Sequence, residues 1–423
     1  MLNRKIAPEI KEIRNLKLPP PTRLLLDNGV PVYVTNMGTQ DIIKLEIAFL
    51  AGRPFESKKL ASRATAGLLK EGTRLFDSSQ IAEITDFYGG SLSVPVNLDT
   101  SNLVLFSLKK HFDKLLPVAA DMIAQPVFPE SELALFKKRN TQRLQLDLTK
   151  NDVLAYRKIT EHIFGKEHPY GYNSDPEMYE SLTRADLVKH FEENYVSGNC
   201  VVFLSGKIES DTLELVNKTL GQSIKKGPLR TPYLPLEMMH PGKQKLEPPG
   251  TLQTAIRIGR RLFNRHHPDF KGFFVLNMIL GGYFGSRLMA NIREEKGYTY
   301  NIYSTVDAMM YDGCFYVGTE VGNEFAGATI KEIYKEFEKL QQELVEKEEM
   351  EMVRNYVLGN LLTALDGPFN VAEVTKSFVL EGIPFSDFEM LVETVQTITP
   401  HDLRELARKY LNKEEMWEVV VGE

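Results

Sequence analysis

Residues 181–206 read SLTRADLVKHFEENYVSGNCVVFLSG, and residues 397–422 read TITPHDLRELARKYLNKEEMWEVVVG. Both stretches place a Thr (Thr183 and Thr399) at a predicted helix start, then an Asp-Leu pair, a Tyr near the helix end and an apolar strand that closes on Gly. They lie about 216 residues apart, which is half the chain. A repeat at this distance predicts two similar α+β domains, each ending in a helix followed by a strand.

A second pair of segments keeps the same spacing, because residues 128–132 and 345–348 each open a long stretch with helical character. Between the two halves, residues 227–250 hold Pro and Gly at a density that neither a helix nor a central strand tolerates. The sequence therefore predicts domains at residues 1–226 and 251–423, joined by a linker at residues 227–250.

Strand and helix signals alternate within each half. Asn28-Gly29 marks a hairpin turn, and Asp77 with Gln80 forms a capping box at a helix start. The second half has a helix from Asp269, a Gly-rich turn, a helix through Ile292 and strands at residues 298–306 and 313–319. This mixture predicts an α+β protein in which each domain is a mostly antiparallel sheet covered by helices.

The composition excludes several classes of function. The 423 residues carry a formal net charge of −6, with positive and negative side chains interspersed, so no basic surface for nucleic acid or an anionic membrane is expected. No apolar run reaches the length of a membrane helix, and residues 1–8 contain no apolar segment of a secretory signal. We therefore expect a cytoplasmic protein, with Cys200 and Cys314 as core residues.

Residues 60–73 (LASRATAGLLKEGT) and 280–304 (LGGYFGSRLMANIREEKGYTYNIYS) give the chain a family resemblance. It resembles the zinc peptidases of the pitrilysin, insulinase and mitochondrial-processing-peptidase group. The resemblance implies the LuxS/MPP-like metallopeptidase fold, with this chain as half of a clamshell. Members carry H-x-x-E-H on a helix that closes in Gly-Thr, where the two His residues bind Zn²⁺ and the Glu is the general base.

The zinc ligands of the family are missing here. Counted back from the Gly-Thr pair, Arg63 and Gly67 stand at the two His positions, and Ala66 stands at the Glu position. The third ligand of the family falls on Arg143. Arg offers no lone pair to a metal, and Ala and Gly carry no donor atom. The sequence therefore predicts no metal in this chain and a naturally inactive paralogue.

The C-terminal signature of the family is retained. The resemblance implies that Arg293 and Tyr300 reach into a peptidase chamber, where they hold substrate carbonyl groups and stabilise a tetrahedral intermediate. We expect Tyr298, Tyr300 and Ile302 on one face of a strand. An alternative stays open, in which Arg293 is a cation at a helix C-terminus beside a packed Tyr ring. Arg287 is interpreted as a packing or ion-pair residue.

A second candidate contact for peptides is the segment 91–98 (SLSVPVNL), with Ser91, Ser93 and Val94 as the candidate residues. The resemblance implies that an extended peptide can add to an edge strand of the N-terminal sheet. Pro95 marks this segment as an edge. Protection of the edge against aggregation explains Pro95 equally well.

These observations favour a non-catalytic, substrate-binding or regulatory subunit of a heterodimeric zinc endopeptidase that acts on peptides. Its partner would be a homologous subunit with H-x-x-E-H, which would hold the zinc. Two alternatives remain: a non-enzymatic homodimeric scaffold, and a protein that binds peptides without any partner.

Overall fold

The structure is a computed structural model that describes Ile13, residues 16–235, Glu237 and residues 239–423. Residues 1–8, on which the expectation about a secretory signal rests, lie outside the described residues. In the described ranges, no helix combines the length and the apolar character needed to cross a membrane.

The first half folds around one sheet. Its strands are β1 (Thr22–Leu25), β2 (Pro31–Asn36), β3 (Ile42–Phe49), β4 (Ser91–Ser93), β5 (Ser101–Leu108) and β6 (Cys200–Gly206). Their order across the sheet is β1-β2-β6-β3-β5-β4, and of these neighbours only β2 and β6 run parallel. The hairpin predicted at Asn28-Gly29 joins β1 to β2, with Gly29 at a positive φ of 86°.

The second half folds around another sheet. Its strands are β7 (Lys243–Leu246), β8 (Gln253–Leu262), β9 (Ile302–Ala308), β10 (Gly313–Gly322) and β11 (Trp417–Val421), in the order β7-β11-β8-β10-β9. β7 and β11 pair in parallel, and the remaining neighbours are antiparallel. The predicted α+β class with mostly antiparallel sheets is confirmed.

Helices cover both sheets. In the first half they are α1 (Ala61–Leu68), α2 (Ser78–Phe87), α3 (Phe112–Ala124), α4 (Glu130–Asp147), α5 (Asn151–Phe164), α6 (Pro176–Glu180), α7 (Arg184–Asn194) and α8 (Ser210–Ser223). In the second half they are α9 (Phe270–Asn277), α10 (Ala326–Gln342), α11 (Lys347–Thr363), α12 (Gly367–Glu381), α13 (Ser386–Thr397) and α14 (Pro400–Tyr410). Met278–Gly282 and Met289–Glu295 are wound as π-helix.

The internal repeat is built as the sequence predicts. Thr183 caps α7 and Thr399 caps α14, and in both caps the Asp three residues later closes a capping box. α7 leads to β6, which ends on Gly206, and α14 leads to β11, which is followed by Gly422. Both glycines have a positive φ, of 120° and 153°. The two halves therefore share their closing helix–strand unit.

The halves exchange one helix each. α5 packs on β8 and β11 of the second sheet, where Ala155 and Ile159 share an apolar cluster with Val419. α12 packs on β2 and β6 of the first sheet, and Phe369 meets Phe106 with 5.4 Å between ring centroids. The two exchanged helices begin about 216 residues apart, at the spacing of the repeat.

Two further features differ from the predicted boundaries. Residues 243–246, assigned to the linker, form β7, because pairing with β11 satisfies the backbone of this Pro-free stretch. Leu16 and Leu18, assigned to the first domain, are buried in the apolar core of the second half. The chain therefore crosses between the halves before β1 and again at the linker.

Candidate functional site

The degenerate zinc positions lie on α1. Ala66 is fully buried, and the side chain of Arg63 is partly exposed one turn before Gly67. A Cβ atom added at Gly67 would lie 3.0 Å from Cε2 of Phe136, which projects from α4. The ring of Phe136 therefore packs directly against the position of the second His of the family.

Arg143 does not complete a metal site either. Its side chain is 78% exposed, and its Nε lies 3.8 Å from Oδ2 of Asp147, one turn along the same helix. Among the described residues, no group of three His, Cys, Asp or Glu side chains could hold a metal ion. Arg63, Ala66, Gly67 and Arg143 offer no side-chain atom that could coordinate zinc.

Arg293 and Tyr300 line one cavity of about 720 Å³ in the second half. Arg293 lies in the π-helical segment, a helix form that is frequent at functional sites. Its guanidinium carbon lies 4.9 Å from the ring centroid of Phe284. The phenol of Tyr300 is 89% exposed, so no other part of the described chain covers it.

Tyr300 does not lie in a strand, and this prediction is wrong. β9 begins at Ile302, which pairs with Thr319. The hydroxyl of Thr299 donates to the carbonyl oxygen of Glu320 (2.6 Å), and that of Thr319 donates to the carbonyl oxygen of Asn301 (2.9 Å). These side-chain hydrogen bonds replace the strand ladder before Ile302.

Tyr298 also departs from the predicted strand face. Its ring stacks on Phe325, with 4.8 Å between centroids and 12° between planes. Gly297, at a positive φ of 67°, turns the chain between Arg293 and Tyr298, and its N–H donates to the carbonyl oxygen of Arg293 at 3.1 Å. The turn therefore keeps Arg293 and Tyr300 at one cavity although they are not joined by a continuous helix and strand.

The floor of this cavity contains charged residues that the sequence analysis missed. Arg257 of β8 lies there with Glu320 of β10 and Asp152 of the first turn of α5. Burial raises the pKa of Glu320, and the nearby carboxylate of Asp152 raises it further. The sequence does mark Arg257 as unusual, since it is a charged residue in the apolar run TAIRI. No sequence pattern, however, predicts that it lies near α5.

Arg287 has the role that the sequence predicts. Its guanidinium forms a double contact with the carboxylate of Glu349, with Nε–Oε1 2.9 Å and Nη2–Oε2 2.7 Å. It joins the segment before Arg293 to α11. Arg287 therefore stabilises this segment, whereas Arg293 lines the cavity.

The edge-strand candidate is shorter than predicted. Among the described residues β4 pairs only with β5, at the edge of the first sheet as expected, but it ends at Ser93. Ser91 and Ser93 are exposed, and Val94 lies outside the strand. A cavity of about 310 Å³ between α2 and β4 includes Ser91 and Leu92. A free edge is thus present, although over only three residues.

A loop between the halves, His168-Pro169-Tyr170-Gly171, is buried. His168 lies 3.6 Å from Oδ2 of Asp312 in the second half, and burial lowers the pKa of its imidazole. The hydroxyl of Tyr170 donates to Asp99, which also accepts from the N–H of Met310 at 3.2 Å. This loop therefore fixes the two halves to each other.

Both cysteines are core residues, as the sequence predicts. Cys200 lies at the start of β6 and Cys314 lies in β10, and both are buried free thiols. Burial raises the pKa of each thiol. Neither is therefore a reactive thiolate.

Comparison with known proteins agrees with this arrangement. Residues 181–357 match the family described as the Peptidase M16 inactive domain. This chain is M16-like. It is 23% identical over 398 residues to an uncharacterized zinc protease of Rickettsia felis, an alignment that covers 91% of this chain and 93% of that protein. It is 22% identical over 378 residues to the non-peptidase homolog YmxG of Helicobacter pylori, covering 86% and 85%.

The M16-like fold extends over nearly the whole chain. A crystal structure of a peptidase M16 inactive domain from Pseudomonas fluorescens superposes with a TM-score of 0.88 at 22% identity, covering 95% of this chain and 98% of that one. Together with the lost ligands at positions 63, 66, 67 and 143, these likenesses identify the M16-like chain as a non-catalytic paralogue.

Proposed function

We propose that this chain is the non-catalytic, substrate-binding subunit of a heterodimeric zinc endopeptidase that acts on peptides. In this proposal it donates Arg293 and Tyr300 to the active site of a homologous partner that carries H-x-x-E-H and the zinc. The observation that carries the proposal is that both side chains line one open cavity of about 720 Å³. Cavities of this volume are typical of ligand sites.

The exposure of Tyr300 supports a role towards a ligand. A packed ring beside a helix end, the alternative from the sequence, would be covered by its neighbours. The ring is instead 89% exposed, and its hydroxyl is therefore available to a substrate or a partner. A phenol can donate a hydrogen bond to a developing oxyanion, and a guanidinium can donate to peptide carbonyl oxygens.

The zinc is assigned to the partner because of the chemistry of α1. Arg63, Ala66 and Gly67 supply no ligand atom, and Phe136 packs against Gly67. A subunit of this kind would contribute substrate binding and charge stabilisation only. The edge of β4 is a second surface for an extended peptide, by backbone hydrogen bonds to the free side of the strand.

The first experiment is a mild pull-down of the chain from its native host, with identification of every co-purifying protein. We expect a chain of similar size with H-x-x-E-H at a ratio near one to one. Recovery of this chain only with itself would overturn the heterodimer and favour the homodimeric scaffold.

The second experiment measures kcat/KM of the reconstituted pair on a peptide that it cleaves. We expect Arg293→Ala to lower kcat/KM by about 10²–10³-fold and Tyr300→Phe by about ten-fold, since each removes a donor to the substrate. Arg408→Lys, at an exposed position on α14 and outside the cavity, is the matched control and should change it little. Unchanged turnover in Arg293→Ala would contradict the assigned role.

A further inference from the structure

The floor of the cavity holds a buried guanidinium that the described part of the chain leaves incompletely paired. Arg257 is 5% exposed. Its Nη1 donates to the carbonyl oxygens of Ile256 (3.0 Å) and Thr319 (3.4 Å). Its Nε has no hydrogen-bond partner, and none of the described carboxylates lies within 4.0 Å of its nitrogen atoms. Burial of a charged donor without a full set of partners is costly, so this arrangement needs an explanation.

A glycine in the neighbouring strand makes room for the side chain of Arg257 at the cavity. Arg257 on β8 is opposite Gly318 on β10, and Gly318 is opposite Tyr303 on β9. A Cβ atom added at Gly318 would lie 3.2 Å from Cζ of Arg257 and 2.8 Å from Cζ of Tyr303. Because Gly318 has no side chain, the guanidinium of Arg257 and the phenol of Tyr303 can occupy the space over β10.

Glu320 and Asp152, the acidic residues of the cavity, do not form an ion pair with Arg257 within 4.0 Å, although the positive charge of Arg257 acts to lower the pKa of Glu320. The side chains of Glu320 and Asp152 repel each other, which is one cause of the raised pKa of Glu320.

We propose that Arg257 anchors a carboxylate of the bound peptide, either the C-terminal carboxylate or the side chain of Asp or Glu. The proposal rests on the proposed peptide-binding function and narrows its substrates to peptides that present a carboxylate in this cavity. The planar fork of Arg matches a carboxylate, and the described part of the chain uses the donors of Arg257 only in part, through two bonds from Nη1. Arg293 lines the same cavity, so one peptide can contact both guanidinium groups.

The probes are fluorescein-labelled pools of random 12-residue peptides, and the measurement is fluorescence anisotropy with the full chain. One pool has a free C-terminal carboxylate and no Asp or Glu. A second pool is amidated and has no Asp or Glu. A third pool is amidated and has one Glu at a random position, and a fourth is amidated and has one Lys. We expect the first pool, the third pool or both to bind about ten-fold more tightly than the second.

The pools separate the two sources of the carboxylate. Preference for the first pool alone assigns the C-terminus, and preference for the third pool alone assigns an acidic side chain. Tightest binding of the Lys pool would overturn the proposal, because Asp152 and Glu320 would then be the recognition groups. Equal binding of the four pools would overturn it as well but would leave peptide binding intact. Binding of none of them would contradict peptide binding by this chain, and the carboxylate anchor with it.

Two variants with opposite expected effects on affinity test the role of Arg257. Arg257→Gln should lower the affinity for the carboxylate-bearing pool about ten-fold and leave the amidated neutral pool unchanged. Glu320→Gln should raise the affinity for the carboxylate-bearing pool, because it removes a negative charge near Arg257. An effect of Arg257→Gln on all pools alike would contradict the anchor.

The control for folding is Arg354→Gln. Arg354 is a half-buried arginine outside the cavity that donates to the carbonyl oxygens of Val395 (3.2 Å) and Ile398 (2.8 Å). It should lower stability without changing the preference among pools. If Arg257→Gln does not fold, Arg257→Lys keeps the charge and removes the fork, and it should weaken the preference for a carboxylate. An unchanged preference in Arg257→Lys would contradict recognition through the fork.

Discussion

Lys376 of α12 and Glu46 of β3 form an ion pair between the two halves of the chain, with 2.7 Å between Nζ and Oε1. The side chains are only 18% and 3% exposed. Glu46 also meets Lys44 (2.9 Å) and accepts from Asn102 (2.6 Å), so the exchanged helix α12 is held by a buried polar network.

We expect Lys376→Met to lower the free energy of unfolding by about 1–3 kcal/mol, because a buried carboxylate loses one of its partners. Urea denaturation at pH 7 measures the effect. The matched control is Lys347→Met, which breaks an exposed pair with Glu351 (3.8 Å) and should cost less than about 0.5 kcal/mol. Equal losses in the two variants would show that the buried network does not stabilise the exchange.

Restoring the zinc ligands should not by itself restore a zinc site. In the variant Arg63→His/Ala66→Glu/Gly67→His/Arg143→Glu, the new imidazole at position 67 meets Phe136, whose ring already lies 3.0 Å from the Cβ position. We expect substoichiometric zinc by elemental analysis after dialysis. Addition of Phe136→Ala should raise the zinc content towards one per chain. A full equivalent of zinc with Phe136 in place would contradict the steric argument.

Two glycines with different surroundings should respond oppositely to Ala. Gly318→Ala brings a methyl group into the space of Arg257 and Tyr303 and should destabilise the chain by about 1–3 kcal/mol. Gly359 lies inside α11 with no heavy atom within 4 Å of its Cβ position, so Gly359→Ala should stabilise by about 0.5–1 kcal/mol. Thermal unfolding measures both. Stabilisation by Gly318→Ala would show that Arg257 and Tyr303 do not tightly fill the space over Gly318.

The free energy of unfolding should decrease as the pH is lowered from neutral to mildly acidic values, because of His190. Its Nε2 donates to the carbonyl oxygen of Ala51 (3.0 Å), and burial lowers its pKa from 6.5 to about 4. Below pH 6.5 the unfolded chain binds a proton that the folded chain does not, so unfolding becomes more favourable as the pH falls. The loss reaches up to about 3 kcal/mol near pH 4.

Urea midpoints at pH 7, 5.5 and 4.5 measure this dependence. His190→Gln removes the titrating group and should flatten the slope, although it also lowers stability at pH 7. His401→Gln, at an exposed position on α14, should leave the slope unchanged. An identical slope in wild type and His190→Gln would assign the acid sensitivity to other groups.

Local chemistry made part of the fold predictable. Asp77 and Gln80 form the predicted capping box, and Thr183 and Thr399 lie at the predicted helix starts, because these signals depend on residues at most three apart. The prediction that this chain holds no zinc rests on residue types alone. The start of β9 was misplaced because the hydroxyls of Thr299 and Thr319, 20 residues apart, end the strand ladder together.

Long-range partners were not predictable in the same way. The apolar stripe of α5 indicates a covered helix, but its period does not say which sheet covers it. The position of Arg257 was not predictable for the same reason, because it shares a cavity with α5 only when α5 packs on the second sheet. The candidate pair Arg293 and Tyr300 was found through a motif, while the remainder of the cavity required the structure.

The exchange of α5 has a consequence for the nascent chain. Ala155, Ile159 and Ile163 leave the ribosome long before β8, and longer still before β11, which completes their cover. During translation this helix presents an uncovered apolar face that native contacts cannot protect. We expect the N-terminal half to remain a substrate for chaperones until β8 and β11 have been made, so that the two halves fold together and not one after the other.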